Sequence, residues 1–260
     1  IILPTFNERK NIEALINKIF DLFKEDELEI IVVDDNSKDG TSELVKELAQ
    51  KESRINLILR LGRSGLSSAI KEGLLAATGD IAGVIDTDGQ VNPSDLKKAI
   101  QRLKENKLDI VIGSRFLSDS KRTGLSKERS LGSSIANKLC RLSLPKKYKH
   151  ITDYQSICMG IKLSSCLPII YKVDVNGFKF FYEMLAISSG NLNIDDVALD
   201  FKPRLYGDSK LDLAIVWEFL TQLVHYSFFR VIPKRAISFG FASSIGAFVQ
   251  LLSTQILMTF

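Results

Sequence analysis

The sequence predicts an α/β protein: a doubly wound, mostly parallel sheet, followed by helices at and across a membrane. Three observations predict it. Short apolar runs alternate with stretches of helical apolar spacing, the rhythm of βαβ units. Acidic and polar loops follow the apolar runs, where open α/β sheets bind ligands beyond the carboxyl ends of their strands. The last 25 residues, Ala236 to Phe260, carry no charge.

The first strand is expected at Ile1–Pro4, followed by the loop Thr5-Phe6-Asn7-Glu8. From Asn11 to about Lys24, Ile12, Leu15, Ile16, Ile19, Phe20 and Phe23 recur at helical spacing. A second strand, Glu29–Val33, runs into Asp34-Asp35-Asn36-Ser37, and Thr41 is expected to cap a helix reaching about Lys51. Ile55–Leu59 is a third strand, Gly62 to Gly65 a turn, and Ser67–Ala77 a helix. Ile81–Ile85 is a fourth strand, and Pro93 starts a helix at a position that tolerates proline. Ile110–Gly113 is a fifth strand, followed by Ser114-Arg115. Right-handed crossovers then bring Thr5–Glu8, Asp34–Ser37 and Asp86–Gln90 to one sheet edge.

Beyond Arg115 the pattern loosens. Phe116–Ser126 reads as a polar, mobile loop, and about Lys127 to Leu142 as a helix with Arg129, Ser133 and Asn137 on one face. Ile151–Ser156 is a loop, Phe180–Ser188 a helix holding Glu183, and Val197–Lys202 a strand. A basic, glycine-containing loop, Arg204–Lys210, ends a first domain of residues 1–210. Residues 211–233 read as an amphipathic juxtamembrane region, with packing against a second subunit as the competing role. Residues 234–260 read as a first membrane span, since roughly 20 residues cross a bilayer core. A buried core helix is the alternative. The small residues Gly240/Ser244 and Ala242/Gly246 favour the span. Lys234-Arg235 would hold the preceding domain on the cytoplasmic side. The chain opens inside an apolar run without a visible signal peptide, so leading residues, and further spans after Phe260, are expected.

Composition excludes several classes. A formal net charge of +4 over 260 residues, without an aromatic–basic repeat, does not point to nucleic acid. Cys140, Cys158 and Cys166 lack metal spacing and read as reduced thiols, and His150 and His225 form no ligand set. No dinucleotide fingerprint, phosphate-binding P-loop, nucleophile elbow or zinc-ligand helix is present.

The most informative stretch is Ile81 to Pro93. Asp86 and Asp88 stand one residue apart at a strand end and can share a face. With the amide of Gln90 they form a hard oxygen donor set suited to Mg²⁺ or Mn²⁺. Taken alone, the stretch reads equally well as a solvated acidic turn before the helix.

Six motifs in order shift that balance: Pro4-Thr5-Phe6-Asn7-Glu8; Val33 to Ser37 with Asp39-Gly40-Thr41; Ala77-Thr78-Gly79-Asp80; Asp86 to Gln90; Ile112-Gly113-Ser114-Arg115; and Arg204 with Tyr206-Gly207 and Ser209-Lys210. Together they resemble family-2 glycosyltransferases of the GT-A (Rossmann-like) fold, in particular the branch of dolichol-phosphate mannose synthases and their polyprenyl-phosphate relatives. The resemblance implies that Pro4, Thr5, Glu8 and Asp35 hold the donor nucleoside. It implies that Asp86, Asp88 and Gln90 bind the cation, and that Asp86 and Lys210 face the donor. Arg115, Arg129 and Ser133 would hold an acceptor phosphate, and Arg204 with Lys210 would neutralise phosphates. Asp88, Arg115, Arg129 and Arg204 form the expected catalytic set. Three departures stand out: Gly89 replaces a common leucine, Asn92 a common histidine, and Ile157-Cys158-Met159 a usual Gly-Phe-Arg.

The implied reaction is inverting transfer of a sugar, mannose from GDP-mannose, to dolichyl or polyprenyl phosphate. The implied partners are the nucleotide-sugar donor, the lipid phosphate, the membrane and a second copy of the chain. Three alternatives stay open: a UDP-sugar donor; a hydroxyl acceptor, which needs a base such as Asp153 or Glu183; and a non-catalytic scaffold.

Overall fold

The computed structural model describes residues 1–62, 65–105, 107–123, 127–174, 179–203, 213–227 and 232–259. The chain divides into two compact units, Ile1–Lys210 and Leu211–Phe260.

In the first unit, β1 (Ile2–Thr5), β2 (Ile30–Asp34), β3 (Ile55–Leu59), β4 (Ile81–Val84) and β5 (Ile110–Ser114) fall on the five apolar runs. Every residue of β1 and β2 is buried, which is why they read as unbroken apolar runs rather than alternations. The connecting helices are α1 (Ile12–Leu22), α2 (Thr41–Lys51), α3 (Leu66–Ala76) and α4 (Pro93–Glu105). Next come β6 (Lys121–Arg122), α5 (Lys127–Ser143), β7 (Met159–Lys162), α6 (Leu163–Ile170), α7 (Phe180–Ser188), β8 (Ile194–Ala198) and β9 (Asp200–Phe201). The main sheet has the order β3-β2-β1-β4-β7-β5-β8. Leu3, Ile16, Ile30, Val32 and Leu96 sit in one of its apolar core clusters.

Three expectations need correction. β7 runs antiparallel between β4 and β5, with Met159 opposite both Val84 and Ile112. So short a strand, Met-Gly-Ile-Lys, carries too little periodicity to announce itself. The strand expected at Val197–Lys202 begins earlier and is split into β8 and β9. Asp195, ion-paired with Arg102, and Asp196, bonded to Thr152, conceal its start from an apolar reading. The loop expected over Phe116–Ser126 contains β6, which pairs in parallel with β9.

Helix starts are set by local chemistry. Pro93 takes the first position of α4, and Asn92 caps the helix by accepting from the Ser94 amide at 3.2 Å. Thr41, expected as the cap of α2, is its first residue. Gly40 holds the cap position at φ 86°, while Asp39 accepts from the Thr41 amide at 3.1 Å.

Gly73 lets α3 close on the sheet. A Cβ there would overlap Ile2 Cγ2 and stand 3.1 Å from Val33 Cγ2. Gly73→Ala is therefore expected to destabilise the fold by about 1–3 kcal/mol despite alanine's better helix propensity. The measurement is a urea midpoint that falls at unchanged slope.

The second unit holds α8 (Leu213–Ser227) and α9 (Lys234–Thr259). Trp217 meets Phe241 edge-on at 5.5 Å, and the Thr221 hydroxyl lies 3.4 Å from that of Ser238. Lys234–Gln255, 22 residues of mean hydropathy 1.5, is long and apolar enough to cross a membrane. Phe239, Phe248 and Leu251 on it are exposed.

Candidate active site

The loops after β1 and β2 are laced together. The Asp35 amide donates to Thr5 O at 2.9 Å, the Asn7 amide to Ser37 Oγ at 2.7 Å, and the Lys38 amide to Asn7 Oδ1 at 2.9 Å. The Glu8 amide donates to Thr41 Oγ1 at 3.0 Å, and the Arg9 amide to Asp39 Oδ2 at 3.1 Å. Burial raises the Asp39 carboxyl, but bonds from the Thr41 hydroxyl and from the Arg9 and Thr41 amides outweigh it and hold it below its ordinary value. Asn7 and Asn36 adopt φ of 58° and 63°, the left-handed region that asparagine visits at less cost than most residues. The motif residues thus shape a fixed rim.

Of the residues expected to hold the nucleoside, Pro4 and Thr5 are buried in β1, and the Thr5 hydroxyl donates to Leu3 O at 2.9 Å. Glu8 accepts from Asn11 Nδ2 at 2.6 Å, at the start of α1. Asp35 is buried and ion-paired with Arg60 at 3.0 Å, and its other oxygen accepts from the Gly65 amide at 2.9 Å. Arg60 also reaches Glu72 at 3.2 Å and Ser68 at 2.7 Å. Sequence reasoning missed it. Its signal was a basic residue directly after a strand.

Asp86 and Asp88 lie in the loop beyond β4, not on the strand, so strand alternation does not account for their placement. Thr87, between them, turns the other way and donates to Pro4 O at 3.2 Å, tying the loop to β1. Asp86 accepts from the Thr87 amide and Asp88 from the Gln90 amide, both at 3.0 Å. Asp88 is 2% exposed. Gly89 has φ 75°, a conformation glycine adopts without strain, which explains the departure at this position. Gln90 Nε2 donates to Lys202 O at 3.1 Å, and the Lys202 amide returns a bond to Gln90 O at 2.8 Å. With Nε2 so placed, Oε1 is the oxygen Gln90 can offer a cation. Among the described residues no cluster of three His, Cys, Asp or Glu side chains forms a closed metal cage. Two carboxylates and an amide oxygen fit a cation that completes its shell with substrate phosphates and water.

Arg115 follows β5. Its Nε and Nη2 donate to Asp153 at 2.7 and 3.0 Å, a bidentate pair in which Asp153 is 0% exposed. Burial opposes the Arg115 charge, but Asp153 more than offsets it and holds the guanidinium above its ordinary value. The rings of Phe116 and Phe201 lie 5.6 and 5.5 Å from the guanidinium carbon. Asn137, on the polar face of α5, donates to Thr152 O at 2.5 Å and accepts from the Tyr154 amide at 2.9 Å. That face therefore meets the Asp153 loop rather than solvent alone. Ser133 on it is half-buried. The Arg129 side chain, and all of Arg204 and Lys210, lie outside the described residues. Glu183 is 0% exposed and accepts from the Asp174 amide at 2.8 Å. Lys179 donates from its ammonium to Gln155 Oε1 at 2.5 Å.

The glycosyl transferase family 2 profile matches residues 1–166. A dolichol-phosphate mannosyltransferase of Pyrococcus furiosus is 35% identical over 225 residues, 86% of this chain and 62% of the relative; the chain thus spans about three fifths of that protein's length. Proteins of the same name from Mycosarcoma maydis and Saccharomyces cerevisiae are 30% and 28% identical, covering 88% and 92% of this chain and 79% and 90% of their own. Among solved structures, a mannosyltransferase from Pyrobaculum calidifontis in complex with GDP-Man and Mn²⁺ superposes with a TM-score of 0.58 at 17% identity, covering 100% of this chain and 79% of that one. A glucosyl-3-phosphoglycerate synthase from Mycobacterium tuberculosis with Mn²⁺ and UDP gives 0.60 at 18%, covering 88% and 78%. These structures share the GT-A fold. The mostly parallel sheet, the loops gathered beyond its strands and the profile match agree: the chain belongs to glycosyl transferase family 2.

Proposed function

We propose that the protein transfers mannose from GDP-mannose to dolichyl phosphate, inverting the anomeric centre in one displacement. The observation that carries this reading is the placement of the Asp86–Gln90 loop after β4 and the Arg115–Asp153 pair after β5, the two strands that flank β7, at one edge of one sheet. Similarity to dolichol-phosphate mannosyltransferases supports the choice of sugar and lipid. Pro4, Thr5, Glu8 and Asp35 form the nucleoside side, and Arg115, Arg129 and Ser133 the acceptor side. Arg204 and Lys210 follow Lys202, which is pinned to Gln90.

Asp86, Asp88 and Gln90 would hold Mg²⁺ or Mn²⁺, which supplies charge neutralisation on the departing nucleoside diphosphate. The acceptor phosphate has its second pKa near ~6, so it is already ionised at neutral pH and needs no protein base. The fates of Asp153 and Glu183 support a phosphate acceptor. Both are buried, one against Arg115 and one against the Asp174 amide, and neither is placed as the base a hydroxyl acceptor requires. We further infer that α9 spans the membrane, with Lys234 and Arg235 holding the catalytic unit on the cytoplasmic side.

The test is a product panel: full-length protein in dolichyl-phosphate vesicles, with GDP-mannose or UDP-glucose and Mg²⁺ or Mn²⁺. The expected result is a mannosyl lipid from GDP-mannose. Transfer only from UDP-glucose overturns the donor, and transfer only to free sugars overturns the acceptor.

A further inference from the structure

The Arg115–Asp153 pair is held by a chain of hydroxyls. Thr152, directly before Asp153, gives both its amide and its hydroxyl to one oxygen of Asp196 on β8, at 2.9 and 2.6 Å. The Thr152 hydroxyl also lies 2.5 Å from that of Ser114, directly before Arg115. The Ser114 hydroxyl in turn accepts from the amide of Phe116, directly after Arg115, at 3.0 Å. These links join β8, the loop before β7 and the end of β5.

A hydroxyl has one proton to donate. A carboxylate accepts and does not donate, so the Thr152 proton goes to Asp196. The proton between the two hydroxyls therefore comes from Ser114. The chain runs in one sense, from the Phe116 amide to Ser114, from Ser114 to Thr152 and from Thr152 to Asp196. Bonds aligned in this way polarise one another toward the charge at their end. The chain also accounts for an acidic residue within a strand, where acidic residues are disfavoured. Its neighbour Asp195 is ion-paired with Arg102, whereas Asp196 takes the two Thr152 bonds.

The consequence falls on the guanidinium. Asp153 takes Nε and Nη2, while Nη1 donates to nothing among the described residues. The direction of Nη1 depends on the seat of the Asp153 carboxylate and on the peptide that carries Arg115. The hydroxyl chain ties both, at residue 152 on one side and at residues 114 and 116 on the other. A misplacement of about 1 Å that begins far from the chemistry can cost about 10²-fold in rate.

We propose that Ser114, Thr152 and Asp196 form a one-way hydrogen-bond relay that positions Arg115 for the acceptor phosphate, with Thr152 as its central positioning residue. This rests on the sugar-transfer reading, in which Arg115 holds that phosphate, and adds residues that act through it.

The test compares wild type, Thr152→Val, Thr152→Ser and Ser114→Ala in the full chain. The readouts are KM for dolichyl phosphate, KM for GDP-mannose, direct binding of a short-chain prenyl phosphate, and a melting curve. Valine matches threonine in shape and keeps the backbone bonds of residue 152 to Asp196 and from Asn137. Thr152→Val is expected to weaken prenyl phosphate binding and raise acceptor KM about 5- to 30-fold, with donor KM unchanged. Thr152→Ser, which keeps the hydroxyl, stays with the wild type. Ser114→Ala, which cuts the relay nearer Arg115, weakens binding in the same direction. In the Arg115→Met/Asp153→Leu background, adding Thr152→Val brings no further weakening, because the group it acts through is gone. A Thr152→Val protein that melts lower but binds prenyl phosphate as the wild type does has lost only a structural bond, and overturns the proposal while transfer still stands. Equal rises in acceptor and donor KM, a Thr152→Ser protein as impaired as Thr152→Val, or full further weakening in the Arg115→Met/Asp153→Leu background overturn it as well. Absence of transfer by the wild type, with prenyl phosphate binding still weakened by Thr152→Val, refutes sugar transfer and leaves the relay in place.

Discussion

Asp88→Asn is expected to lower turnover about 10²- to 10³-fold, the cost of removing one group that stabilises charge in a transition state. The substitution preserves volume, and Asn Oδ1 can still accept the Gln90 amide bond that Asp88 accepts at 3.0 Å. The fold should therefore keep its melting temperature while the response to Mn²⁺ weakens. Titrating Mn²⁺ against initial rate and recording a melting curve on the same sample separates the two effects. Near-normal turnover would remove Asp88 from the cation site. A large drop in stability would show that its role is to build the loop. Asp86, half-buried and two residues before Asp88, should respond in the same direction.

Arg115→Met carries the largest expected effect on stability. It leaves the Asp153 carboxylate, 0% exposed, without its bidentate partner. Breaking a buried pair from one side costs about 3–5 kcal/mol. For a chain of this size that corresponds to a melting temperature lowered by about 10 °C. The double variant Arg115→Met/Asp153→Leu should recover much of the loss, because apolar groups of similar volume replace both charges. A single variant that melts with the wild type, or a double variant worse than either single one, would contradict the pairing. Transfer should fall in both variants, since Arg115 is proposed to hold the acceptor phosphate.

The first half of the fold is legible in the sequence because buried parallel strands are continuous apolar runs and their loops gather at one edge. Asp86, Asp88 and Gln90 stand out in the sequence as a candidate donor set, and the surrounding motifs, not spacing alone, favour that reading over an acidic turn. Their true geometry was hidden. They sit in a turn set by Gly89 at positive φ, and Gln90 is held by Lys202, far away in sequence. The partners of Asp35 and Arg115 were also hidden. Arg60 and Asp153 each meet them across a long chain separation, and no local pattern records such pairs. β7 escaped for a related reason: four residues inserted between strands of opposite direction depend on their neighbours for their conformation.

The central claim is that a lipid phosphate oxygen, with no protein base, displaces the nucleoside diphosphate at the Asp86–Gln90 loop. Phosphorus NMR of the purified product from GDP-mannose and dolichyl phosphate tests it most directly. The account predicts a phosphodiester resonance with scalar coupling to the anomeric proton of mannose, formed by the wild type and lost in Asp88→Asn. A product in which the lipid phosphate remains a monoester, or a mannosyl phosphodiester made equally well by Asp88→Asn, would contradict it.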